Sequence, residues 1–356
     1  MPGELSINLT GNLKEKPRDE KLVFGTIFTD HMFVMDYEEG KGWYNARIEP
    51  YGPFYVEPSM MVFHYGQAIF EGMKAYRTKD GRVTVFRPRS YLERMNRSAD
   101  RMCMPSIDVY FVHKALKKLL SIEKDWIPSS IGSSLYIRPF IVATDPHLGV
   151  RPSYTYRLFI ILSPVGAYYP EGFKPVKIWV ESDYVRSVKG GVGTAKTSGN
   201  YAASIRALFE AKKRGFTEVL WLDGVERKYI EEVGTMNIFF KIADRIVTPP
   251  LDGSILGGMT RDSVITLAND WGMEVREEKL AIDEIYEASD KGTLQEIFGT
   301  GTAAVISPVS SLNWDGKVIT LNGGHAGETS VRLYDEITGI QYGNIPDRFD
   351  WMEEIE

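Results

Sequence analysis

Length, composition and charge place the chain among folded proteins that act on small ligands. With 356 residues it exceeds the size that one hydrophobic core usually reaches, so two domains are expected. Hydrophobic residues make up 43% and charged residues 25%, which excludes an intrinsically disordered chain. The net charge of -6 argues against nucleic acid or an acidic membrane as partner. The single cysteine, Cys103, excludes an intrachain disulfide and a multi-cysteine metal site, and no metal ligand set is predicted.

The first half of the chain predicts a small α+β domain preceded by an arm. Residues 1–21 are polar and lack the basic start and apolar run of a secretory signal, so we predict a loosely ordered N-terminal arm. Residues 22–165 combine helical spacing of apolar residues, at 90–102 and 109–122, with β-rich runs that end near Val165. The longest apolar run in this part is too short to cross a membrane.

The second half predicts a larger α+β domain. Residues 166–175, rich in proline, glycine and aromatics, suit an ordered interdomain loop, and residues 176–356 follow as the large domain. Within it, 229–242 is predicted as one strand and 293–309 as a strand broken by glycines. A turn is predicted at Asp223-Gly224.

The most unusual local feature is the loop KGGVGTAKTSGNY, which places Lys196 among very small side chains. One interpretation is a nucleotide-binding phosphate loop, because 190–197 matches G-x-x-x-x-G-K-T except at Ala195. Residues 183–189, however, separate this loop from the preceding strand. A second interpretation is an ordinary solvated lysine. The third is a Schiff-base lysine, which needs a tight apolar site and partners elsewhere in the chain.

One such partner is a carboxylate that keeps a pyridine nitrogen protonated, so that the ring can accept the electrons of a substrate carbanion. Glu232 is the candidate, since it lies in a strand-like context in which alternation directs it inward and Glu231 outward. From spacing alone, a surface glutamate is the favoured interpretation.

A second requirement is a phosphate anchor, which an arginine, hydroxyl groups and N–H groups at a helix start can provide. Arg94 lies in a predicted helix, the segment 257–260 precedes another helix, and the segment 299–303 interrupts a strand. Each has a purely structural alternative: a surface arginine, a helix cap and a bulge, respectively.

Taken together, these segments resemble the branched-chain aminotransferases among the fold-type IV pyridoxal-phosphate enzymes. The stretches EVGTMNIF, IVTPP and ILGGMTR reproduce that family's long signature between Glu232 and Arg261. The segments HYGQAIFEGMKAYR, ERMNRSADRM, SLYIRPF, GGVGTAK and FGTGTA are also similar. The resemblance implies a two-domain α+β fold with pyridoxal 5'-phosphate in the cleft between the domains.

The resemblance also implies roles for individual residues around the cofactor. Lys196 would be the Schiff-base lysine and Glu232 the partner of the ring nitrogen, while Tyr201 would bind the phenolic oxygen. The remaining predicted cofactor-binding residues, most of them phosphate ligands, are Arg94, Thr235, Met259, Thr260 and Thr302.

By the same resemblance, an aromatic pocket would bind the substrate side chain. Arg138 would bind a second carboxylate, and the backbone amides of Thr302 and Ala303 the α-carboxylate. Leu148 and Val150 would reach the pocket of a neighbouring subunit, which implies a homodimer. The predicted aromatic lining is Phe24, Tyr65, Phe70 and Tyr136.

The implied reaction is reversible transfer of the amino group of L-leucine, L-isoleucine or L-valine to 2-oxoglutarate, with Lys196 as the base. Alternatives within the fold are a D-amino acid aminotransferase and an aminodeoxychorismate lyase; a nucleotide-binding module is the alternative outside it. Animal members carry a C-x-x-C motif where this chain has 304–307, AVIS. This difference, and an arm unlike a mitochondrial transit peptide, favour a cytoplasmic microbial enzyme.

Overall fold

The computed structural model describes residues 3–166 and 173–355, which form two compact units. The described part of unit 1 comprises residues 3–166, 195–198 and 339–355, and that of unit 2 comprises 173–194 and 199–338. Each unit contains its own sheet, so each is described by itself.

Helices and strands alternate irregularly along the chain. The helices are α1 (Met61–Tyr65), α2 (Pro88–Arg101), α3 (Val109–Ile122), α4 (Ser198–Lys213), α5 (Met259–Asp270), α6 (Ile282–Asp290) and α7 (Glu328–Gln341). The strands are β1 (Ser6–Ile7), β2 (His31–Glu38), β3 (Gly42–Pro50), β4 (Ala68–Phe70), β5 (Met73–Arg77), β6 (Val83–Phe86), β7 (Ser134–Ala143), β8 (Thr155–Val165), β9 (Val176–Glu181), β10 (Glu218–Leu222), β11 (Ile230–Val233), β12 (Asn237–Ile242), β13 (Arg245–Thr248), β14 (Glu274–Glu277), β15 (Leu294–Gly301), β16 (Val305–Trp314), β17 (Lys317–Thr320) and β18 (Met352–Ile355).

In the described part of unit 1, nine strands form one sheet in the order β1-β3-β2-β8-β7-β5-β6-β18, with β4 paired to β7. Strands β7 and β8 pair over their full length, from Ser134 opposite Val165 to Ala143 opposite Tyr156. Side chains alternate across a strand, so Tyr136 and Arg138 project from the same face of β7. The sheet thereby places two predicted pocket residues side by side.

Helices α2 and α3 bury one face each. In α3 the apolar positions Val112, Leu116 and Leu119 are fully buried, and the Asp108 side chain caps the first turn by accepting from the Phe111 amide. In α2, Pro88 occupies the first turn, where its missing N–H costs nothing. The predicted helix at 109–122 is confirmed residue for residue.

The prediction of a loosely ordered arm is wrong for residues 3–21. Strand β1 pairs in parallel with β3, and the Thr10 amide donates to His31 Nε2 over 2.9 Å. The Lys14 amide donates to Asp30 Oδ1 over 2.8 Å, and Lys14 Nζ donates to the Thr29 carbonyl. Hydrogen bonds rather than apolar burial attach the arm, so its polar composition could not reveal the attachment.

In the described part of unit 2, nine strands form a mixed sheet in the order β11-β10-β9-β16-β15-β12-β13-β14, with β17 paired to β16. Strand β9 lies parallel to both β10 and β16, whereas β15 is antiparallel to β12 and β16. Apolar residues of this sheet and of α6 form one core cluster that includes Ile178, Leu220, Phe240 and Ile285. This core supports β11, which carries Glu232.

Three local predictions in unit 2 need correction. The predicted strand 229–242 is two strands, because Gly234 adopts a φ of +54° and turns the chain between β11 and β12. The strand 293–309 is a hairpin of β15 and β16, whose turn follows Gly301 rather than lying at the glycines. The turn at Asp223 is longer than two residues, and the Asp223 carboxylate accepts the amides of four following residues, which holds its pKa at about 2 against desolvation.

The domain assignment from sequence differs from the two units at two short segments. Residues 195–198 belong to unit 1 because Thr197 bridges to Ile69, and 339–355 belong there because β18 pairs with β6. Of the predicted interdomain loop, residues 167–172 lie outside the described residues. No helix among the described residues is long and apolar enough to cross a membrane.

The buried carboxyl of Glu218 in β10 generates a stability prediction. Burial raises its pKa to about 7, against 4.5 for an ordinary glutamate. The folded chain therefore retains a proton that the unfolded chain releases between these values, so the free energy of unfolding falls as the pH rises through this window. Glu218→Gln, which cannot ionise, should be up to about 3 kcal/mol more stable than the natural chain at pH 8 and differ much less at pH 5.

Urea unfolding at both pH values measures this difference. Glu274→Gln, a change at an exposed side chain, serves as the matched control. A stability gain for Glu218→Gln that is the same at pH 5 and pH 8 would contradict the assignment of the effect to ionisation.

Candidate active site

In unit 1, the backbone of Lys196 is hydrogen-bonded on both sides. Its amide donates to Ser98 Oγ over 2.9 Å, and its carbonyl accepts the Phe70 amide over 3.0 Å. Thr197 forms an antiparallel bridge with Ile69 and donates its hydroxyl to the Ala68 carbonyl over 2.7 Å. These bonds fix the segment that carries the candidate lysine against β4 and α2.

Helix α2 contributes two residues from one face, four positions apart. Ser98, which is completely buried, holds the Lys196 amide, and Arg94 is 5% exposed. Arg94 Nε and Nη2 donate to the two carboxylate oxygens of Glu71, each over 2.7 Å. The alternative of a surface arginine at position 94 is therefore wrong, since a buried ion pair orients this guanidinium.

An aromatic wall of predicted pocket residues lies beside Lys196. Lys196 Nζ is 5.0 Å from the centre of the Phe70 ring, and Arg138 Cζ lies 4.6 Å from the same ring centre. Arg138 Nη2 donates to the Tyr136 hydroxyl over 3.0 Å, and the Phe24 ring meets the Tyr136 ring edge-on at 4.9 Å. The structure thus brings together Lys196 and four residues predicted for the substrate pocket.

The absence of a side chain at Gly72 makes room for this wall. A Cβ built on Gly72 would lie 2.0 Å from the Tyr136 hydroxyl oxygen, so only glycine fits opposite that side chain. Tyr136 is 9% exposed, and the Nε of Arg138 is buried without a hydrogen-bond acceptor among the described residues. Arg138 therefore retains a donor for a ligand.

The other predicted pocket residues of unit 1 form a separate contact. The Tyr65 hydroxyl donates to the Leu148 carbonyl, and the side chains of Leu148 and Val150 are 64% and 85% exposed. Each of these two apolar side chains would gain free energy by burial.

Two residues that lie near the candidate site in unit 1 were not predicted from the sequence. Ser98 gave no signal, because its role depends on the position of a segment a hundred residues later. Lys74, opposite Tyr136 in the β5–β7 register, is 7% exposed, and burial lowers its pKa to about 8. Unit 1 therefore contains a second amine beside the wall, and its pKa lies below that of an ordinary lysine.

In unit 2, Glu232 is 4% exposed and pairs with a buried arginine. Arg186 Nε lies 3.2 Å from Glu232 Oε2, an ion-pair distance without the alignment of a hydrogen bond. Glu232 Oε1 accepts the Leu256 amide over 2.9 Å. The surface alternative for Glu232 is therefore wrong, and Arg186 is a further residue that spacing did not reveal.

The expectation that Glu231 faces outward is also wrong. Glu231 is 7% exposed, and its carboxylate accepts the Ser254 hydroxyl. The side chains of Glu231 and Glu232 still alternate, but both faces of β11 are covered, and the loop before α5 supplies the Ser254 partner of Glu231. The strand therefore presents two adjacent buried carboxylates.

The segment before α5 packs closely against Asn237. A Cβ on Gly258 would lie 2.1 Å from Asn237 Oδ1, while Asn237 Nδ2 donates to the Leu256 carbonyl over 2.8 Å. Gly258 is the N-cap of α5, a cap without a side chain, and Met259 and Thr260 form the first turn, both buried. Such a helix start favours an anion.

The β15–β16 turn carries Thr302 and Ala303, which are half-buried. Gly299 and Gly301 leave space for Met236, whose side chain would lie 3.0 Å and 3.2 Å from a Cβ at these positions. The Thr300 hydroxyl is buried without a partner among the described residues. Of the other predicted cofactor residues, Tyr201 lies half-buried in the first turn of α4 and Thr235 is exposed in the turn after β11.

The geometry disfavours the phosphate loop that Lys196 also suggested. In such a loop the strand leads directly into a glycine-rich turn and the lysine begins the helix. Here β9 ends at Glu181, residues 182–197 intervene, and α4 begins at Ser198. Taken separately, unit 1 contains a lysine with a fixed backbone, and unit 2 contains a buried carboxylate and a glycine-capped helix start; these are the kinds of group that a phosphorylated pyridine needs.

Comparison with known proteins decides the family. Residues 68–312 match the family model described as "Amino-transferase class IV". The chain belongs to the class IV aminotransferases. The fold class predicted from the sequence is confirmed by this match and by the solved structures described below.

This class IV aminotransferase has relatives that match over nearly the whole chain. It is 58% identical to branched-chain-amino-acid aminotransferase 2 of Bacillus subtilis over 351 residues, 99% of this chain and 97% of the relative. It is 45% identical to the branched-chain-amino-acid aminotransferase of Mycolicibacterium smegmatis, with 93% of this chain and 92% of the relative covered.

Solved structures agree with the class IV fold. The Escherichia coli branched-chain amino acid aminotransferase superposes with a TM-score of 0.77 at 28% identity, covering 91% of this chain and 99% of that one. The branched-chain aminotransferase of the archaeon Thermoproteus uzoniensis, solved with norvaline, gives a TM-score of 0.76 at 26% identity, covering 92% of this chain and 100% of that one.

The bond from Thr197 to the Ala68 carbonyl generates a prediction for the lysine segment. Thr197→Val keeps the shape but leaves a buried carbonyl without its donor, which should lower the free energy of unfolding by about 1–3 kcal/mol. Aminotransferase activity should fall together with stability, because Lys196 directly precedes Thr197. Thr197→Ser, which retains the hydroxyl, should keep most of both; thermal unfolding and steady-state rates compare the two. Equal stabilities and equal rates for the valine and serine variants would show that the hydrogen bond from Thr197 to the Ala68 carbonyl does not hold this segment.

Proposed function

We propose that this aminotransferase transfers the amino group of L-leucine, L-isoleucine or L-valine to 2-oxoglutarate in a reversible ping-pong cycle. The observation that carries the proposal is the position of Lys196 beside an aromatic wall that also contains an arginine. An aromatic wall suits an aliphatic side chain, whereas a guanidinium suits a carboxylate. Similarity to branched-chain aminotransferases along nearly the whole chain supports the same choice.

Pyridoxal 5'-phosphate, when bound, supplies an aldehyde that joins an amine and a ring that accepts the electrons of the substrate's α-carbon. We assign its attachment to Lys196, its ring nitrogen to Glu232 and its phenolic oxygen to Tyr201. Glu232 is suited to this role because it is buried and its second oxygen is fixed by the Leu256 amide. The other residues assigned to the cofactor, chiefly to its phosphate, are Arg94, Thr235, Met259, Thr260 and Thr302.

Lys196 is also assigned the proton transfer. With pyridoxal 5'-phosphate bound, the Lys196 amine would act as the base that removes the proton from the substrate's α-carbon and holds it for return. Such a transfer needs an amine that reaches the same position in each cycle. The bonds from the Lys196 backbone to Ser98 and Phe70 supply that constraint.

The pocket must accept two unlike side chains in turn. We assign the aliphatic chain to Phe24, Phe70 and Tyr136, and Tyr65 to the same lining. The γ-carboxylate of glutamate is assigned to Arg138, whose buried Nε has no acceptor among the described residues. The amides of Thr302 and Ala303 are assigned to the α-carboxylate.

We further propose a homodimer in the cytoplasm. Leu148 and Val150 are exposed apolar residues on one loop, and burial in the pocket of a partner subunit would remove both from water. The identified relatives are bacterial enzymes, which supports the microbial origin inferred from the absent C-x-x-C motif.

The assignment of Lys196 predicts a spectroscopic result. The purified enzyme with added pyridoxal 5'-phosphate should show an absorption band near the visible edge that borohydride bleaches, with the reduced cofactor retained on the chain. Lys196→Ala should lose both the band and the activity. Lys189→Ala, a change at an exposed lysine of the same loop, should retain them. Retained cofactor on the reduced Lys196→Ala chain would place the attachment at another lysine.

The assignment of Arg138 predicts a split between substrates. Arg138→Met removes the fork for a second carboxylate, so the KM for glutamate should rise roughly 10- to 100-fold while that for leucine changes little. Steady-state rates on a panel of L- and D-amino acids with 2-oxoglutarate measure this and the preference among substrates. Equal increases for glutamate and leucine would remove Arg138 from the recognition of the γ-carboxylate.

A further inference from the structure

Strand β11 buries two adjacent carboxylates, of which one is paired directly with Arg186 and the other is connected to it through Ser254. Glu231 is 7% exposed, Glu232 is 4% exposed and Arg186 is 9% exposed. Two buried acids facing one base leave an excess negative charge when all three are ionised, and burial makes such an arrangement costly. A fold rarely retains it without a use.

The contacts show how the three groups are connected. Arg186 Nε is 3.2 Å from Glu232 Oε2, and Arg186 Nη2 donates to the Ser254 carbonyl. The Ser254 hydroxyl donates to Glu231 Oε1. Glu231 Oε2 is buried without a hydrogen-bond donor among the described residues. Glu231 is thus connected to Arg186 through the hydroxyl and the carbonyl of one serine, Ser254.

The charges around Glu231 are few. Burial raises its pKa to about 6, the Ser254 hydrogen bond and Arg186 act in the opposite direction, and Glu232 and Asp223 add to the rise. Above that pH the carboxylate is mostly ionised. Above pH 6, therefore, the charge of Arg186 acts on a second anion, Glu231, as well as on Glu232.

The consequence concerns Glu232. A guanidinium paired with Glu232 weakens the attraction of that carboxylate for a second positive group, because the two compete for the same charge. A second carboxylate near Arg186 offsets part of the positive charge of the guanidinium. The attraction of Glu232 for the second positive group then becomes stronger again. Glu232 could then hold a proton on a pyridine nitrogen despite its pairing with an arginine.

We propose that Glu231 is a positioning residue that offsets the charge of Arg186, so that Glu232 keeps the proton on the ring nitrogen of pyridoxal 5'-phosphate. The inference rests on the proposed assignment of Glu232 to that nitrogen and extends it to the neighbouring strand position. Glu231 acts through Arg186 and Ser254.

The test is a pH titration of the cofactor ring nitrogen in the holoenzyme, followed by the nitrogen-15 shift of labelled pyridoxal 5'-phosphate. Glu231→Gln keeps the size and an acceptor for Ser254 but removes the charge. The ring nitrogen should then lose its proton at a pH lower by about one unit, a tenfold loss of proton affinity. kcat for leucine should fall more than KM rises. Glu226→Gln, an exposed glutamate of the preceding turn, should leave the titration unchanged.

Two variants separate charge from structure. Ser254→Ala removes the hydrogen bond but no charge, so it should shift the titration much less than Glu231→Gln. Arg186→Met removes the opposing charge and should shift it in the opposite direction, which remains measurable if Glu231→Gln does not fold. An unchanged titration in Glu231→Gln, an equal shift in Ser254→Ala, or a downward shift in Arg186→Met would each overturn the proposal.

Glu232→Gln distinguishes this failure from failure of the proposed function. If Glu232→Gln leaves the nitrogen titration unchanged, the assignment of Glu232 to the ring nitrogen is wrong. If Glu232→Gln shifts it and Glu231→Gln does not, only the role of Glu231 is wrong.

Discussion

The short bridge between residues 195–198 and β4 is the constraint on which the candidate chemistry depends. Lysine is a flexible side chain, and a loop rich in glycine would leave it in many positions. In this structure the Lys196 amide is bound by Ser98, its carbonyl by the Phe70 amide, and the next residue by the Ala68 carbonyl. The backbone of the lysine is therefore as fixed as a strand, although it lies in a loop.

The pairing with β4 also explains why an aromatic residue and an arginine lie near the lysine. Phe70 binds the Lys196 carbonyl through its backbone and faces both Lys196 and Arg138 with its ring. The following residue, Glu71, is the partner of Arg94. Strand β4 and the residue after it thus orient the lysine, the pocket wall and a buried arginine. Phe70 and Glu71 serve different partners because successive residues of an extended segment project to opposite sides.

Unit 2 applies a comparable constraint to its acidic residues. The loop before α5 is held by Glu231 through Ser254, by Glu232 through the Leu256 amide and by Asn237 through the Leu256 carbonyl. These polar contacts are buried, so each unsatisfied group would be costly, and the loop has little freedom to move. The carboxylate proposed for the cofactor, Glu232, thereby also shapes the segment that leads into α5.

The sequence by itself determined the family, the α+β fold class and some of the regular elements, because these depend on local spacing and on motifs contiguous in the chain. The helix at 109–122 needed only its apolar periodicity, and the signature from Glu232 to Arg261 needed only its order. The attachment of the arm by Asp30 and His31, the burial of Glu231 and the roles of Ser98, Lys74 and Arg186 were decided by tertiary structure alone. Each depends on a partner distant in sequence or on a second covered face, and burial of a polar residue produces no periodic pattern that spacing could reveal.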